Sequence, residues 1–276
     1  MKIIFKKVAT AIVSSLIELL YISNAGRYLI DLMIKKIKDK NIKISHNKID
    51  LNFYVPNRLC YYRVKTFSSK EPETLLWIDS FKEKEIFWDI GANIGLYSCY
   101  AGLKNINVYS FEPSVFNLEI LAKNIFKNKL ESKISIIPLA LSNNNKIELF
   151  NMSNIDYGGA MSGLSEKIYD QDANLLKKVF KYKLLTTGGH TLKDIWNLRN
   201  PDHIKIDVDG IEYLILRSLD GMLENTKSIL VEVDKKFHSN NEVIKEILIR
   251  NKFKLKKNLF DNRNQFNQIW YKDNNE

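Results

Sequence analysis

The period of hydrophobic and polar positions changes several times along the chain, and each change predicts a different kind of element. In residues 1–40 apolar side chains recur at helical spacing, so we predict helices there. From residue 42 to residue 67 apolar and polar positions alternate on both sides of Pro56 and Asn57, which predicts a β-hairpin or two short strands. Residues 71–81 return to helical spacing and predict a short helix before the main sheet.

From residue 86 onward, apolar runs of strand length alternate with amphipathic helical patterns. Predicted strands occupy residues 86–90, 106–111, 134–139, 203–208 and 228–233, and a short strand at residues 146–152 extends beyond the third. This alternation predicts an α/β fold that is doubly wound, with a mostly parallel sheet and helices on both faces. Two apolar segments around an Asn- and Asp-rich turn near residue 262 predict a terminal antiparallel hairpin. A polar, glycine-containing stretch at residues 153–178 predicts either a lid near the site or an ordinary surface insertion.

The chain of 276 residues has no internal repeat and no linker rich in glycine, serine or proline. We therefore predict an N-terminal extension of helices and a β-hairpin at residues 1–69, followed by the main domain at residues 70–276. The charge-free run at residues 8–17 ends at Glu18 and is too short to span a membrane. Residues 1–40 have two interpretations. They form a helical layer packed on the domain, which we prefer, or a basic amphipathic segment on an anionic membrane.

Charge and cysteine usage narrow the partners and the compartment. The net charge of +10 comes mostly from lysine, without an arginine-rich cluster or basic and aromatic residues interleaved, so we predict no nucleic-acid partner. Cys60 and Cys99 have no CxxC spacing, which favours a reducing compartment. We predict a cytoplasmic protein. The second interpretation of residues 1–40 would place it peripherally at the inner face of the membrane.

The first strand of the predicted sheet ends in a turn that carries chemistry, the segment Asp89-Ile90-Gly91-Ala92-Asn93-Ile94-Gly95. A strand, a glycine turn and a helix N-terminus form the pocket for a nucleotide-type cofactor in open α/β sheets. A dinucleotide motif would place glycine where Asn93 stands, and Asp89 would repel a diphosphate. Asp89 instead suits a cationic amino group or sulfonium, so the turn favours S-adenosylmethionine over NAD or FAD.

Glu112 ends the second predicted strand. A carboxylate at that place can accept two hydrogen bonds from the vicinal hydroxyls of a ribose. The alternative is an isolated glutamate that stabilises the front of the next helix. The presence of the Asp89 turn on the neighbouring strand favours the ribose.

Six short motifs occur in the order and spacing of one family. They are DIGANIGLYS from residue 89, FEP from residue 111, ALS from residue 140, TLKDI from residue 191, IKIDVDGIE from residue 204 and LVEV from residue 230. Together they resemble the FkbM-type S-adenosylmethionine-dependent methyltransferases over roughly residues 70–235. The family has the class I fold and mostly O-methylates sugar or polyketide-type hydroxyls. Two positions depart from the family pattern. Asp209 stands where the family usually has glutamate, and Lys193 stands where the family commonly has an acidic residue.

The resemblance implies which residues bind the cofactor. The turn would line its methionine end, Glu112 its ribose, and the segment around Leu141 its adenine. The full set is Asp89, Gly91, Ala92, Asn93, Gly95, Glu112, Pro113, Leu141 and Ser142.

Asp207 lies at the carboxyl end of the fourth predicted strand, the edge where such sheets bind ligands. It can act as a general base or bind a divalent cation such as Mg²⁺, with Glu232 and Asp234 completing the metal site. Alternatively, Asp207 and Glu212 are structural acids that accept hydrogen bonds from loop amides. The other candidate bases are histidines, of which His238 lies nearer the expected rim than His190.

We therefore predict an S-adenosylmethionine-dependent O-methyltransferase that acts on a hydroxyl of a saccharide or glycan precursor. The substrate class rests on the family resemblance alone. Two alternatives stay open: a nucleotide-cofactor oxidoreductase, and a non-catalytic membrane-surface protein that retains the fold. The sequence makes no prediction about the oligomeric state.

Overall fold

The computed structural model describes residues 2–164, 166, 174–233, 238–256 and 267–272. The helices are α1 (Lys2–Tyr21), α2 (Asn24–Lys38), α3 (Arg58–Lys65), α4 (Phe67–Lys70), α5 (Pro72–Asp79), α6 (Leu96–Leu103), α7 (Val115–Lys127), α8 (Gly189–Asp194), α9 (Glu212–Leu219) and α10 (His238–Arg250). The strands are β1 (Asn41–His46), β2 (Ile49–Tyr54), β3 (Ile86–Ile90), β4 (Asn107–Phe111), β5 (Ile134–Ile137), β6 (Ala140–Leu141), β7 (Lys146–Met152), β8 (Ser162–Gly163), β9 (Phe180–Thr187), β10 (His203–Ile206), β11 (Ser228–Glu232), β12 (Phe253–Leu255) and β13 (Asn267–Lys272).

The main sheet of the described residues has seven strands in the order β12-β13-β11-β10-β3-β4-β5. The five strands from β11 to β5 are parallel, and β13 runs antiparallel to both of its neighbours. Phe87 and Trp88 are fully buried on opposite faces of β3 and belong to two separate hydrophobic cores, because successive side chains of a strand alternate. The predicted doubly wound fold with a terminal antiparallel hairpin is therefore confirmed.

The chain reverses its winding direction between β3 and β10, which lie side by side in the centre of the sheet. From β3 the strands build outward to β4 and β5, whereas β10 starts the other half of the sheet. Loops that leave the carboxyl ends of two such strands diverge and open a crevice. The turns after Ile90 and Ile206 therefore form the floor of a binding site.

The N-terminal hairpin differs from the predicted one. Its turn lies at Asn47 and Lys48, both of which have positive φ angles, of 46° and 66°. The segment that follows Asn57 is helix α3 rather than a second strand. The Asn57 side chain accepts a hydrogen bond from the Cys60 backbone N–H at 2.8 Å and caps this helix, which overrides the alternating pattern of its sequence.

The preferred interpretation of residues 1–40, a helical layer packed on the domain, is wrong. None of the described side chains of α1 is buried, and α2 buries only Gly26 and Ile30. A Cβ atom at Gly26 would lie 2.0 Å from the Leu20 carbonyl oxygen, so the two helices pack against each other. Ile30 belongs to neither hydrophobic core. Among the helices described, none is long and apolar enough to cross a membrane.

The hairpin β1–β2 packs tightly on the main sheet's helices. Leu51 and Phe53 have no exposed surface and share a core with residues of α6 and α7. The side chain of Asn124 accepts a hydrogen bond from the Tyr54 backbone N–H at 2.8 Å and donates one to the Ile94 carbonyl at 2.7 Å. The division of the chain at residue 69 stays a prediction.

A second, four-stranded sheet of order β6-β9-β7-β8 extends from the carboxyl edge of the main sheet. The sequence predicts β7 but not β9, which pairs antiparallel with β7 along its whole length. Between β7 and β8, the carbonyl of Gly159 accepts hydrogen bonds from the side chains of Asn93 and Asn117 at 2.7 and 3.1 Å. This part of the predicted lid or insertion therefore lies against the turn after β3.

Candidate active site

A cavity of about 380 Å³ lies at the carboxyl ends of the central strands. Its floor includes the turn after β3 and the segment after β10, and α3 and residues 159–164 form other parts of its wall. A volume of this size, at the switch point of a parallel sheet, is typical of a small-molecule site. Of the nine residues that the sequence predicts for the cofactor, five line the cavity: Gly91, Asn93, Glu112, Pro113 and Leu141.

Gly91 allows the turn after β3 to touch the segment after β10. Its φ angle is +83°, and a Cβ atom built on it would lie 1.9 Å from the Asp207 carbonyl oxygen. Only glycine tolerates both that angle and that approach. The backbone N–H groups of Gly91 and Ala92 both donate to the Phe111 carbonyl, at 2.9 and 3.0 Å, which ties the turn to β4.

Gly95 has a φ angle of +80°, and a Cβ atom there would lie 2.3 Å from Leu121 Cδ1. It therefore lets α6 begin close to α7. Asn93 lies between the two glycines with a φ of 51°. Its backbone N–H donates to Glu112 Oε2 at 2.7 Å, and its side chain donates to the Gly159 carbonyl. The turn, the end of β4 and the cavity wall are thus joined through Asn93.

Glu112 lines the cavity from the end of β4 and is 5% exposed. Its second carboxylate oxygen accepts a hydrogen bond from the Ser114 backbone N–H at 2.8 Å. Burial raises the pKa of Glu112 to about 7, although the hydrogen bonds from Ser114 and Asn93 act to lower it. The carboxylate is therefore held in place by backbone amides and faces the cavity, as the ribose interpretation requires.

The wall beyond Glu112 is apolar. Leu139, Ala140 and Leu141 line it, as does Pro113, whose carbonyl accepts a hydrogen bond from the Tyr182 hydroxyl at 2.7 Å. An apolar wall of this kind suits the flat face of a purine. Ser142 lies behind it, since it is 3% exposed, is not among the lining residues, and donates its backbone N–H to the second sheet.

Asp207 lines the cavity from the end of β10, on the other side of β3 from Glu112, and its side chain is one-third exposed. Its Oδ2 atom lies 2.8 Å from Lys205 Nζ, and it hydrogen-bonds to Glu232. Burial acts to raise the pKa of Asp207, but the Lys205 charge and the Glu232 hydrogen bond outweigh it and lower that pKa. The neighbouring Asp207 charge, with burial, raises the pKa of Glu232. At neutral pH Asp207 is therefore the ionised member of the pair and Glu232 the protonated one.

Asp89 does not line the cavity directly. It is 1% exposed, and its Oδ2 atom accepts a hydrogen bond from the Ser98 hydroxyl at 2.5 Å. Its Oδ1 atom lies 3.9 Å from Lys205 Nζ and has no hydrogen-bond partner among the described residues. Burial raises the pKa of Asp89, against the opposing effect of the Lys205 charge. Asp89 therefore contacts Ser98 and Lys205 at the base of the turn, and its Oδ1 atom can accept one further hydrogen bond.

Lys205 is the site residue to which the sequence analysis assigns no role. It is 2% exposed, bridges the carboxylates of Asp207 and Asp89, and lies with Nζ 5.4 Å from the centre of the Tyr97 ring. Burial acts to lower its pKa, but the charges of Asp207 and Asp89 outweigh this and raise it. One feature of the sequence could have indicated this role. Lys205 is a single lysine within an otherwise apolar strand, Ile204-Lys205-Ile206, and a lysine in a buried strand needs a charged partner.

The remaining acids of this segment bind backbone amides. Glu212 Oε1 accepts hydrogen bonds from the N–H groups of Val208 and Gly210 at 3.3 and 3.1 Å, which is the structural role considered for it from the sequence. Asp209, where the family usually has glutamate, accepts hydrogen bonds from Met161 and Ser162 at 2.7 and 3.3 Å. The shorter carboxylate thus anchors the cavity wall between β7 and β8.

The predicted metal site has little support from the described contacts. No group of three or more His, Cys, Asp or Glu side chains in the described residues is placed to hold a metal ion. Lys205 already occupies one side of Asp207 Oδ2, and Glu232 is the protonated partner of that carboxylate. Asp234 and the side chain of His238 lie outside the described residues. His190 is exposed and is not among the residues that line the cavity.

Comparison with known proteins matches this site to one family. The family model of the methyltransferase FkbM domain matches residues 89–258, from the end of β3 to just beyond β12. The chain belongs to the FkbM methyltransferase family. This membership confirms the predicted family.

One relative of this FkbM methyltransferase is the hexuronic acid methyltransferase AglP of Haloferax volcanii, which is 24% identical over 174 residues. The match covers 62% of this chain and 65% of AglP, so it spans less than two thirds of that relative's length.

Three of the solved structures that this chain resembles have TM-scores below 0.5. The precorrin-6Y C5,15-methyltransferase of Geobacter metallireducens is 14% identical, with a TM-score of 0.45 over 74% of this chain and 90% of that one. A putative rRNA methylase of Clostridium thermocellum is 12% identical, with a TM-score of 0.44 over 73% of this chain and 93% of that one. TrmK of M. capricolum, solved with S-adenosylhomocysteine, is 13% identical, with a TM-score of 0.41 over 74% and 71%.

Proposed function

We propose that this methyltransferase transfers a methyl group to a hydroxyl oxygen of a saccharide or glycan precursor. The observation that carries the proposal is the ionised Asp207 carboxylate, one-third exposed in the cavity beside the turn after β3. The saccharide class is supported by the name of the relative AglP and by the family resemblance.

The cavity fits S-adenosylmethionine in three places. Glu112 offers a carboxylate for the ribose, Leu141 and its neighbours offer an apolar wall for the adenine, and the Asn93 turn closes the space between them. The Oδ1 atom of Asp89 accepts no hydrogen bond from the described residues and suits the cationic amino group of the methionine end, reached through water. When bound, the cofactor supplies an electrophilic methyl group on a sulfonium.

Asp207 is the group we assign to the acceptor's proton. An ionised carboxylate accepts a hydrogen bond from a hydroxyl and orients its oxygen. A carboxylate whose pKa is lowered is a weak base, but a hydroxyl oxygen that gains a methyl group becomes strongly acidic, so a weak base suffices. Lys205 acts as a positioning residue, because it fixes Asp207 in the ionised form without reaching the acceptor.

We also propose that the protein works in the cytoplasm and that Mg²⁺ is not what holds the acceptor. Both cysteines are free and buried, which agrees with a reducing compartment. The Lys205 ammonium supplies positive charge next to Asp207, where the sequence analysis placed a cation. Unchanged turnover after dialysis against a chelator is the expected result, and lost turnover restored by Mg²⁺ would contradict it.

The test of the acceptor is mass spectrometry of saccharides from cells that carry the wild-type gene, an Asp207→Asn variant or a deletion. We expect a saccharide that is heavier by one methyl group in the wild type and unmethylated in both other strains. His190→Ala serves as the matched control and should retain the methylated product, because His190 is exposed and does not line the cavity. Methylation that persists in the Asp207→Asn strain would contradict the assigned role.

A further inference from the structure

The two N-terminal helices expose an apolar surface that the enzyme's chemistry does not explain. On α1, exposed apolar side chains recur at spacings of three and four residues, which places them on one face of the helix. The exposed apolar side chains of α2 recur in the same way. We call the two sets together the hairpin face, and its members are Phe5, Val8, Ile12, Leu16 and Leu19 of α1 and Tyr28, Leu29, Leu32 and Met33 of α2.

The apolar side chains of the hairpin face are strongly exposed. Phe5 is 74% exposed and Ile12 63%, although side chains of this size are usually buried in a core. Contiguous exposed apolar surface on this scale marks a site of interaction with a membrane or with another protein. Neither helix is both long and apolar enough to cross a bilayer.

Positive charge accompanies the apolar face. Residues 1–40 contain eight lysines and arginines against three aspartates and glutamates, and so supply half of the chain's net charge of +10. Lys6 and Lys7 lie near the start of α1, and Lys35, Lys36 and Lys38 lie in the last turn of α2. Both groups lie at the ends of the helices remote from the turn that joins them. Apolar side chains with lysines at the margin are typical of helices that lie in the interface of an anionic bilayer.

We propose that the α1–α2 hairpin docks the enzyme on an anionic lipid surface. The hairpin face enters the boundary between headgroups and acyl chains, and the flanking lysines contact the headgroup phosphates. A second copy of the chain is a poorer occupant, because two hairpins with the same positive charge would repel each other when their faces met. The inference is independent of the acceptor, since it uses no residue of the cavity.

Co-flotation of the full-length protein with lipid vesicles tests the proposal. One set of vesicles is phosphatidylcholine alone and the other contains phosphatidylglycerol as the anionic lipid. We expect the protein to float with the anionic vesicles, to float much less with the neutral ones, and to be released as the salt concentration rises. Failure to float with anionic vesicles at low salt would overturn the proposal.

Two sets of variants separate the two contributions. A triple change of Phe5, Ile12 and Leu16 to serine removes apolar surface, and a triple change of Lys6, Lys35 and Lys36 to glutamate reverses charge. We expect each to weaken partitioning into anionic vesicles by at least about tenfold. All six side chains are exposed, so the fold should be retained, and circular dichroism checks this.

Matched controls change the same kinds of exposed residue elsewhere. Phe126→Ser and Ile195→Ser remove apolar side chains that are 67% and 72% exposed, and reversal of Lys127 and Lys177 removes comparable charge. The controls should float like the wild type. Equal loss in the controls would show that the hairpin is not the site. Suppose that the wild type sediments as a dimer and the triple variant of Phe5, Ile12 and Leu16 sediments as a monomer. A second copy of the chain then covers the face, and the proposal is wrong.

Discussion

Substitution of Gly91 by alanine should destroy the cofactor site while leaving a folded protein. The added Cβ atom would lie 1.9 Å from the Asp207 carbonyl oxygen, and ordinary contact begins at 3.4 Å. The turn after β3 and the segment after β10 must therefore separate by roughly 1.5 Å, because backbone lies on both sides of the contact and no side chain can swing away.

The magnitude has two parts. A φ angle of +83° costs an alanine about 1–2 kcal/mol. Overpacking adds about 1–3 kcal/mol, which makes about 2–5 kcal/mol of lost stability. A domain of this size has about 5–15 kcal/mol, so the variant should remain folded. A displacement of about 1 Å at a site of this kind costs about a hundredfold, and we expect the affinity for S-adenosylhomocysteine to fall by at least that factor.

Isothermal titration calorimetry with S-adenosylhomocysteine and urea denaturation measure the two effects. Gly221→Ala is the matched control, since Gly221 has a φ angle of +86° but its Cβ atom would approach nothing closer than 3.8 Å. Gly221 also does not line the cavity. The control should lose only the 1–2 kcal/mol of backbone strain and bind the ligand like the wild type. Binding by Gly91→Ala within about threefold of the wild type would refute the assigned contact between the two turns.

Three further predictions follow from single contacts. Lys205→Met should lower kcat/KM by at least about tenfold. It should also move the acid limb of the pH–rate profile to higher pH, because the pKa of Asp207 rises when the lysine's charge is removed. An unmoved profile would show that Lys205 is merely structural. The affinity for S-adenosylhomocysteine should rise as the pH increases through about 7, where Glu112 ionises and becomes a full acceptor, and Glu112→Gln should abolish this dependence in calorimetry. Asn124→Ala should lower the free energy of unfolding by about 1–3 kcal/mol in urea, since the Tyr54 N–H loses its partner, whereas the exposed Asn143→Ala should change it by less than about 0.5 kcal/mol.

The fold was accessible from sequence where local pattern and tertiary role agree. The central strands β11, β10 and β3 are short apolar runs buried on both faces, and β3 is buried at every position, so pattern and burial coincide. Helix α3 was mispredicted because the alternation of apolar and polar residues around Tyr62 is typical of a strand. The Asn57 side chain caps a helix there and stabilises it instead. Strand β9 was missed because its first six residues are exposed or half-buried and its pairing with β7 is set by contacts distant in the chain.

The convergence of several predicted cofactor residues on one cavity could be expected from sequence, because they lie in two short turns. Gly91, Asn93 and Glu112 converge on the cavity as the motifs imply. The cluster around Asp207 did not follow, since Lys205, Asp89 and Glu232 come from three different strands and their contacts depend on strand order. The same limit explains the metal prediction, because acids that share a sheet edge were identified without the lysine that pairs with Asp207, one of them.

The most direct test of the account is methyl transfer from S-adenosylmethionine that carries an isotopically labelled methyl group. The purified full-length protein is incubated with hexuronic-acid-containing oligosaccharides, and the products are analysed by mass spectrometry with fragmentation. We predict label on a saccharide hydroxyl oxygen with the wild type and at least about a hundredfold less with Asp207→Asn, although this variant should still bind S-adenosylhomocysteine. Wild-type protein that binds S-adenosylhomocysteine but labels no saccharide oxygen would contradict the proposed acceptor, and protein that does not bind S-adenosylhomocysteine would contradict the assigned cofactor site.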